Sequence, residues 1–481
     1  MTSIAKVTNG RRLPAVVVAV MVSLTASGAW AQTASGRGPL LPTGQDAQMR
    51  PQIPPAPAIT GSIPQQPATR TRAAQFATTP PAPPKEWSGE DGQSGHPLMT
   101  AAAIRQAATN FPYCIAGFWP DAARRNISRD SFDRHTAGLS PDLRIMDFVD
   151  AQPEFTKAVW DYLDILVTDA RLTRGREMLT QHRATFDAVE KAYGVDRYIV
   201  AAIWGIESNY STQAGDRPVL RSTATLACVG RRQAYFKDEF LSALEILHRG
   251  DLRPDQLKGS WAGAFGATQF MPTAFKRSAV DFDGDGRRDV VDSVADVLAS
   301  TSNKFKKDGW RSGEAWGYEV EVPRGFNYAL ADRGKNITIA QWEKFGVRRA
   351  GGKAFPRGSD TAYLLVPGGA AGPGFLMLHN FRVIMRYNPA EAYALAIGHF
   401  ADRLRGGGPL VQAWPREEKV LTRAERLELQ QLLGQRGFYR GEPDGNLGSG
   451  TRDAVRSYQA SIGAPADGFA SSGLLDRLRR R

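Results

Sequence analysis

Cysteine is nearly absent: the 481 residues hold two, Cys114 and Cys228. Standing apart, with no C-x-x-C pair, they argue against a thiolate zinc site. They leave open either one disulfide or two buried free thiols. Long hydrophobic runs are also missing. After the N-terminal stretch no segment reaches about 18 consecutive apolar residues, so no transmembrane segment is expected in the mature chain. There is no zinc-finger spacing and no basic recognition helix, so no nucleic acid partner is expected despite a formal net charge of +12. That charge suits an acidic polymer or surface, or serves solubility alone. No solenoid-type repeat is present.

At the N-terminus Lys6, Arg11 and Arg12 precede the apolar run "LPAVVVAVMVSL", and Ala29 and Ala31 form an A-x-A exit. This pattern predicts a signal peptide over 1–31, the alternative being an uncleaved membrane anchor. No cysteine follows the run, so a lipid anchor at that point is excluded and the periplasm is the expected location. Residues 32–95, rich in Pro and Ala, predict a disordered linker. From Phe111 to about Asn209 apolar residues recur at helical spacing, and Gly194 closes a helix. Further helices are expected near 232–248 and 293–308. Between about 314 and 378 the stretches "WGYEVEVP" and "TAYLLVPGG" read as a small inserted β subdomain. Helix returns at "PAEAYALAIGHFADRLR". Residues 406–418 read as a linker, and 419–481 as a compact helical unit in which Thr451 is an expected N-cap. The fold class is mainly α (α+β).

One charge is out of place in this pattern. "AAIWGIESNYS", 201–211, carries Glu207 on the face shared by Val200, Ile203 and Trp204. Burial disfavours an ionised carboxylate. A carboxyl kept protonated near neutrality is what a general acid needs, while a structural Glu paired with arginine is the alternative. "LKGSWAGAFGATQFMPTAF", 257–275, combines small residues, aromatics, Ser260 and Gln269, a mixture suited to carbohydrate.

"GIESNY", then "KGSWAGAFGATQFMP", "DFDGDGRRD" and "LMLHNFRVIMRYNPAEAYALAIGHFADRL", together resemble the lytic murein transglycosylase B family, glycoside hydrolase family 103. The resemblance covers about 98–405. It implies a lysozyme-like helical core over 96–405 that cleaves peptidoglycan with one catalytic Glu, which falls on Glu207. Substrate contacts fall on Ser260, Gln269, Asn380 and Tyr387. By the same resemblance Glu207 protonates the oxygen between N-acetylmuramic acid and N-acetylglucosamine. It then takes the proton of the muramyl C6 hydroxyl as a 1,6-anhydro ring closes. No cofactor is required for that chemistry. Two departures stand out: Ser211 where Gly is common, and Lys304 where an aromatic is often found. A hydrolytic muramidase and a non-catalytic wall-binding scaffold are the alternatives.

"DFDGDGRRDVVD", 281–292, has EF-hand spacing: Asp281, Asp283, Asp285, Asp289 and Asp292 by side chain, and Arg287 by its carbonyl. The resemblance adds a later closing carboxylate, here Asp296, and a structural Ca2+. An acidic turn neutralised by Arg287 and Arg288 is the alternative. The C-terminal unit resembles the peptidoglycan-binding domain type 1, a three-helix module. The expected partners are glycan strands and cell-envelope protein complexes, with the protein itself a monomer.

Overall fold

The computed structural model describes residues 86–92, 94–149 and 157–480. The expected signal peptide, and the expected linker as far as residue 85, lie outside the described residues.

Helix begins ahead of the strongest apolar periodicity. Thr100 caps α1 (Ala101–Thr109) by accepting the Ala103 amide. The short helices α2 (Phe111–Ala116), α3 (Trp119–Arg124) and α4 (Arg129–Thr136) follow. Then come α5 (Val159–Leu166), α6 (Asp169–Gln181) and α7 (Arg183–Tyr193). As the sequence suggests, α7 stops at Gly194, whose left-handed φ of 70° a side chain would resist. Asp196 then caps α8 (Arg197–Ser208) by accepting the Tyr198 amide. Every residue of α8 from Ile199 to Ser208 is buried, so this helix is enclosed on all sides.

Beyond it lie α9 (Val219–Cys228), α10 (Gln233–Arg249), α11 (Pro272–Ser278) and α12 (Val294–Lys307). Two apolar cores result. Ile104, Phe111, Phe132, Leu226, Phe240 and Leu244 join the first helices to α9 and α10. A disulfide between Cys114 and Cys228 ties α2 to α9, which settles the choice the sequence left open. The second core surrounds α8 and includes Leu172, Phe186, Ile203, Phe265, Leu298 and Phe381.

A two-stranded pair, β1 (Arg217–Pro218) with β2 (Lys258–Gly259), leads into the small-residue loop. The five-stranded sheet contains β3 (Gly317–Glu321), β4 (Ile337–Thr338), β5 (Arg348–Arg349), β6 (Thr361–Leu365) and β7 (Gly374–Met377). Its order is β4-β6-β7-β3-β5, with every pair antiparallel and Tyr318 and Leu364 both opposite Leu376. Alternation sends Val320, Leu364 and Leu376 to one core with Trp342 of α13 (Ile339–Lys344). From the sheet the chain enters α14 (His379–Ile384) and α15 (Glu391–Leu404), and α15 packs against α8.

The stretch 406–418 is laid against the body. Val411 and Gln412 amides donate to Glu319, Trp414 packs on Trp160 and Phe375, and Arg416 pairs with Asp164. Three helices then close the chain: α16 (Arg423–Gln435), α17 (Ser449–Ser461) and α18 (Ser472–Arg480). Leu429, Leu433, Val455 and Leu475 form their core. Thr451 is not the N-cap the sequence suggested. Gly448 holds that place, and the Thr451 hydroxyl instead bonds the Asn446 carbonyl inside the first turn.

Candidate active site

Glu207 lies in the last turn of α8 and is 5% exposed. Its Oε1 accepts a 2.5 Å hydrogen bond from the Tyr393 hydroxyl of α15. Burial, reinforced by the nearby Glu207 charge, pushes the phenols of Tyr393 and Tyr387 well up, so both stay protonated.

After Glu207 the backbone makes an unusual exit. Asn209, Tyr210 and Ser211 have φ of 49°, 57° and 69°, a left-handed region costing roughly 1–2 kcal/mol per non-glycine residue. That geometry is why glycine suits position 211. Here side chains hold the turn: Trp204 Nε1 donates to Ser211 Oγ at 2.9 Å, and the Ser211 amide donates to Ser208 Oγ at 2.9 Å. The Ser208 hydroxyl in turn donates to the Ala267 carbonyl at 2.5 Å. Gly205 lets the exit fold back, since a Cβ there would lie 2.6 Å from the Tyr210 ring.

The small-residue loop therefore docks on the end of α8. Phe265 and Phe270 exchange backbone hydrogen bonds, and Gln269 between them takes a φ of 53°. Its Nε2 donates to the Ala214 and Gly266 carbonyls at 2.8 and 3.0 Å. Glu207, Gln269, Met271, Arg277, Lys304, Tyr387 and Asn388 are among the residues around one cavity of about 270 Å³. Glu207 is the one carboxylate among the described residues that line it.

Three of the five expected catalytic and substrate residues thus meet: Glu207, Gln269 and Tyr387. Tyr387 donates to the Thr268 carbonyl and stacks on Phe305. Ser260 does not line the cavity; its hydroxyl accepts the Ala264 amide at 3.0 Å inside a tight turn. Asn380 does not line the cavity either. It is fully buried, and its amide is spent on the Arg311 amide and the Arg311 and Glu314 carbonyls, all within 2.9 Å. The asparagine at the cavity is Asn388. Its Oδ1 accepts the Ala390 amide, and its buried Nδ2 has no partner among the described residues. Tyr393 was also missed, although both residues stand in the quoted "RYNPAEAYALAIG".

A larger cavity, about 670 Å³, lies at the other end of α8, around Asp196, Trp316, His399, Asp402 and Arg405. Its four carboxylates are committed: Asp196 and Asp402 pair with Arg405, Trp316 Nε1 donates to Asp402, Glu314 pairs with Arg311, and Glu319 accepts the Val411 and Gln412 amides. The smaller cavity is therefore the candidate site.

The acidic loop gathers only part of its expected set. Carboxylate oxygens of Asp281, Asp283 and Asp296 lie within 4.8 Å of one another. Asp296 closes the loop from α12 by accepting the Phe282 and Asp289 amides at 2.7 Å each. Asp292 does not close it, because its carboxylate is taken by Gln256 Nε2 at 2.5 Å. Asp289 likewise accepts Gln256 and the Arg287 guanidinium, and Asp285 accepts the Arg287 amide.

Residues 110–402 match the family described as Transglycosylase SLT domain. The chain belongs to that family. Residues 422–478 of this transglycosylase-family chain also match a putative peptidoglycan binding domain. The crystal structure of SltB3 from Pseudomonas aeruginosa in complex with NAG-anhNAM-pentapeptide is similar at 45% identity and a TM-score of 0.73, covering 77% of this chain and 99% of that one. Membrane-bound lytic murein transglycosylase B of Escherichia coli (strain K12) is 30% identical over 242 residues, 49% of this chain and 64% of that protein. The match therefore spans under two thirds of that relative's length. The calcium complex of the Escherichia coli lytic transglycosylase SLT35 shares the fold, with 24% identity and a TM-score of 0.53 over 66% of this chain and 95% of that one.

Proposed function

We propose that this protein is a lytic transglycosylase that cleaves the MurNAc-β-1,4-GlcNAc bond of peptidoglycan with formation of 1,6-anhydro-MurNAc. The observation that carries the reading is that Glu207 is the single carboxylate among the described residues lining the cavity. Hydrolytic glycosidases place two carboxyls about 5–9.5 Å apart across the bond. A lone carboxyl suffices when the sugar supplies its own nucleophile.

In this mechanism the protonated Glu207 donates to the glycosidic oxygen as the C1–O bond breaks, and the GlcNAc C4 hydroxyl leaves. The Glu207 carboxylate, steadied at Oε1 by Tyr393, then accepts the proton of the muramyl C6 hydroxyl as its oxygen bonds C1. The acid is thereby restored and no water is consumed. Gln269 and Asn388 line the cavity as amides able to bond sugar hydroxyl or acetamido groups. The SltB3 complex with an anhydro-muramyl peptide supports this substrate class.

Mass spectrometry of the products tests the proposal, because anhydro products lack one water relative to those of a muramidase. A Glu207→Gln variant with full activity on purified sacculi would sink it.

The finer readings belong to the same proposal. The chain is exported to the periplasm through the 1–31 signal peptide. Residues 96–405 form the catalytic domain, and 419–481 hold the protein on the wall. Asp281, Asp283 and Asp296 would hold one Ca2+, since three hard carboxylate donors suit that ion. Its role there would be structural, bracing the loop between α11 and α12. The protein acts as a monomer on glycan strands.

A further inference from the structure

Lys304 is held firmly in the cavity wall. Its side chain is 8% exposed, and its ammonium lies 2.7 Å from Asp308 and 4.8 Å above the Tyr387 ring. Two more cations meet the same place. Arg277 Nη2 reaches Asp308 at 2.9 Å, and Arg386 Nη1 donates to the Asp308 carbonyl. All three line the cavity beside Glu207. Three positive side chains thus gather around Asp308, two on its carboxylate and Arg386 on its backbone carbonyl.

An aromatic side chain at 304 would offer a sugar a neutral stacking face. A lysine offers a charge instead, and a charge is worth most where water is excluded. We infer that Lys304, with Arg277 and Arg386, forms an anion-recognising wall that selects glycan strands through a carboxylate carried on the muramyl residue. This rests on the transglycosylase reading of the cavity and deepens it by naming what the site recognises on the sugar.

Three further observations agree. The Arg277 side chain is about half exposed, 51%, so an incoming group can reach it. A guanidinium carries five donors, of which Asp308 engages one on Arg277. Burial first, and then the charges of Arg277 and Arg386, push the Lys304 ammonium down against the pull of Asp308. A second carboxylate would relieve that repulsion. In peptidoglycan such a group has two sources: the free 3-O-lactyl acid of a peptide-free strand, or the acids of a stem peptide attached there.

The experiment uses the full-length protein and three substrates: peptide-free strands, the same strands with lactyl acids converted to methylamides, and strands with intact stems. KM and anhydro-product release are measured for wild type, Lys304→Met and Arg277→Met. The wild type is expected to favour a carboxylate-bearing strand over the methylamide strand by about tenfold in KM. Both variants are expected to bring that ratio towards one. Preference for peptide-free strands identifies the lactyl acid as the ligand, and preference for intact strands identifies the stem.

A wild type indifferent to the carboxylate, or a preference that survives both substitutions, overturns the proposal. Should Lys304→Met fail to fold, Arg277→Met carries the test, because its side chain is half in solvent. Absence of anhydro products from all three substrates would defeat the transglycosylase reading itself, which the KM ratio does not address.

Discussion

The Tyr393 hydroxyl donates to Oε1 of Glu207 at 2.5 Å, joining residues 186 positions apart. The bond orients the carboxyl without touching the bond to be cleaved. Tyr393→Phe should therefore lower kcat about 10–100-fold while leaving KM within about twofold. Parallel thermal melts should show a folded protein. An equal rise in KM would mean that Tyr393 shapes the cavity and does not position the acid.

Asn380 and Asn388 should part company when substituted. Asn380→Ala breaks three buried hydrogen bonds to the 311–314 turn, so it should cost about 2–4 kcal/mol in urea unfolding. Asn388→Ala removes a cavity-lining amide with one protein bond, so its larger effect should be on kcat/KM. The reverse pattern would return the substrate role to Asn380.

The sequence pointed to Asn380, whereas the asparagine that lines the cavity is Asn388. Both stand in the same motif, and helical spacing does not tell which amide is used up on backbone groups. Glu207 was legible because a charge among Val200, Ile203 and Trp204 is visible in one dimension. Tyr393 was not, because it reads as one more apolar position of α15 until that helix is laid against α8. In the acidic loop the spacing singled out Asp281 and Asp283, whose carboxylates lie together with that of Asp296. It put Asp292 at the closing position, and only the family resemblance pointed to Asp296, because spacing does not reveal Gln256 reaching Asp292 from 36 residues upstream. The inserted sheet was legible from its alternation and turn residues, whereas its strand order came only with the structure.

Calcium should stabilise the loop. Adding millimolar Ca2+ to chelator-treated protein is expected to raise Tm by several degrees, as binding to the folded form alone requires. Asp296→Asn should abolish most of that rise. An unchanged Tm in the wild type would assign the loop to its internal hydrogen bonds.

Acid should weaken the fold through His399. Burial, and then the charge of Arg403, push its imidazole down to about 4 from an ordinary 6.5. The unfolded chain therefore binds the extra proton first, so stability is full above about pH 6.5 and falls as the pH drops towards 4. The loss attributable to this residue is roughly 3 kcal/mol. Asp402, three residues on, is pushed up to about 6 by burial and works in the opposite direction over part of that range. Denaturation midpoints between pH 4 and 7 for wild type and His399→Asn isolate the term: the variant's curve should be flatter. Superimposable curves would show that His399 contributes nothing to acid sensitivity.

The hydroxyl of Ser208 sits between two parts of the cavity. It accepts the amide of the left-handed exit and donates to Ala267, two residues before Gln269. The acid-bearing helix and the amide-bearing loop thus share one hydroxyl, beside the Gln269–Ala214 bond and the packing of Phe265 and Phe270 on the helix. Separating the two halves of the cavity breaks both Ser208 bonds, so one small hydroxyl couples the turn after the acid to the loop that carries Gln269.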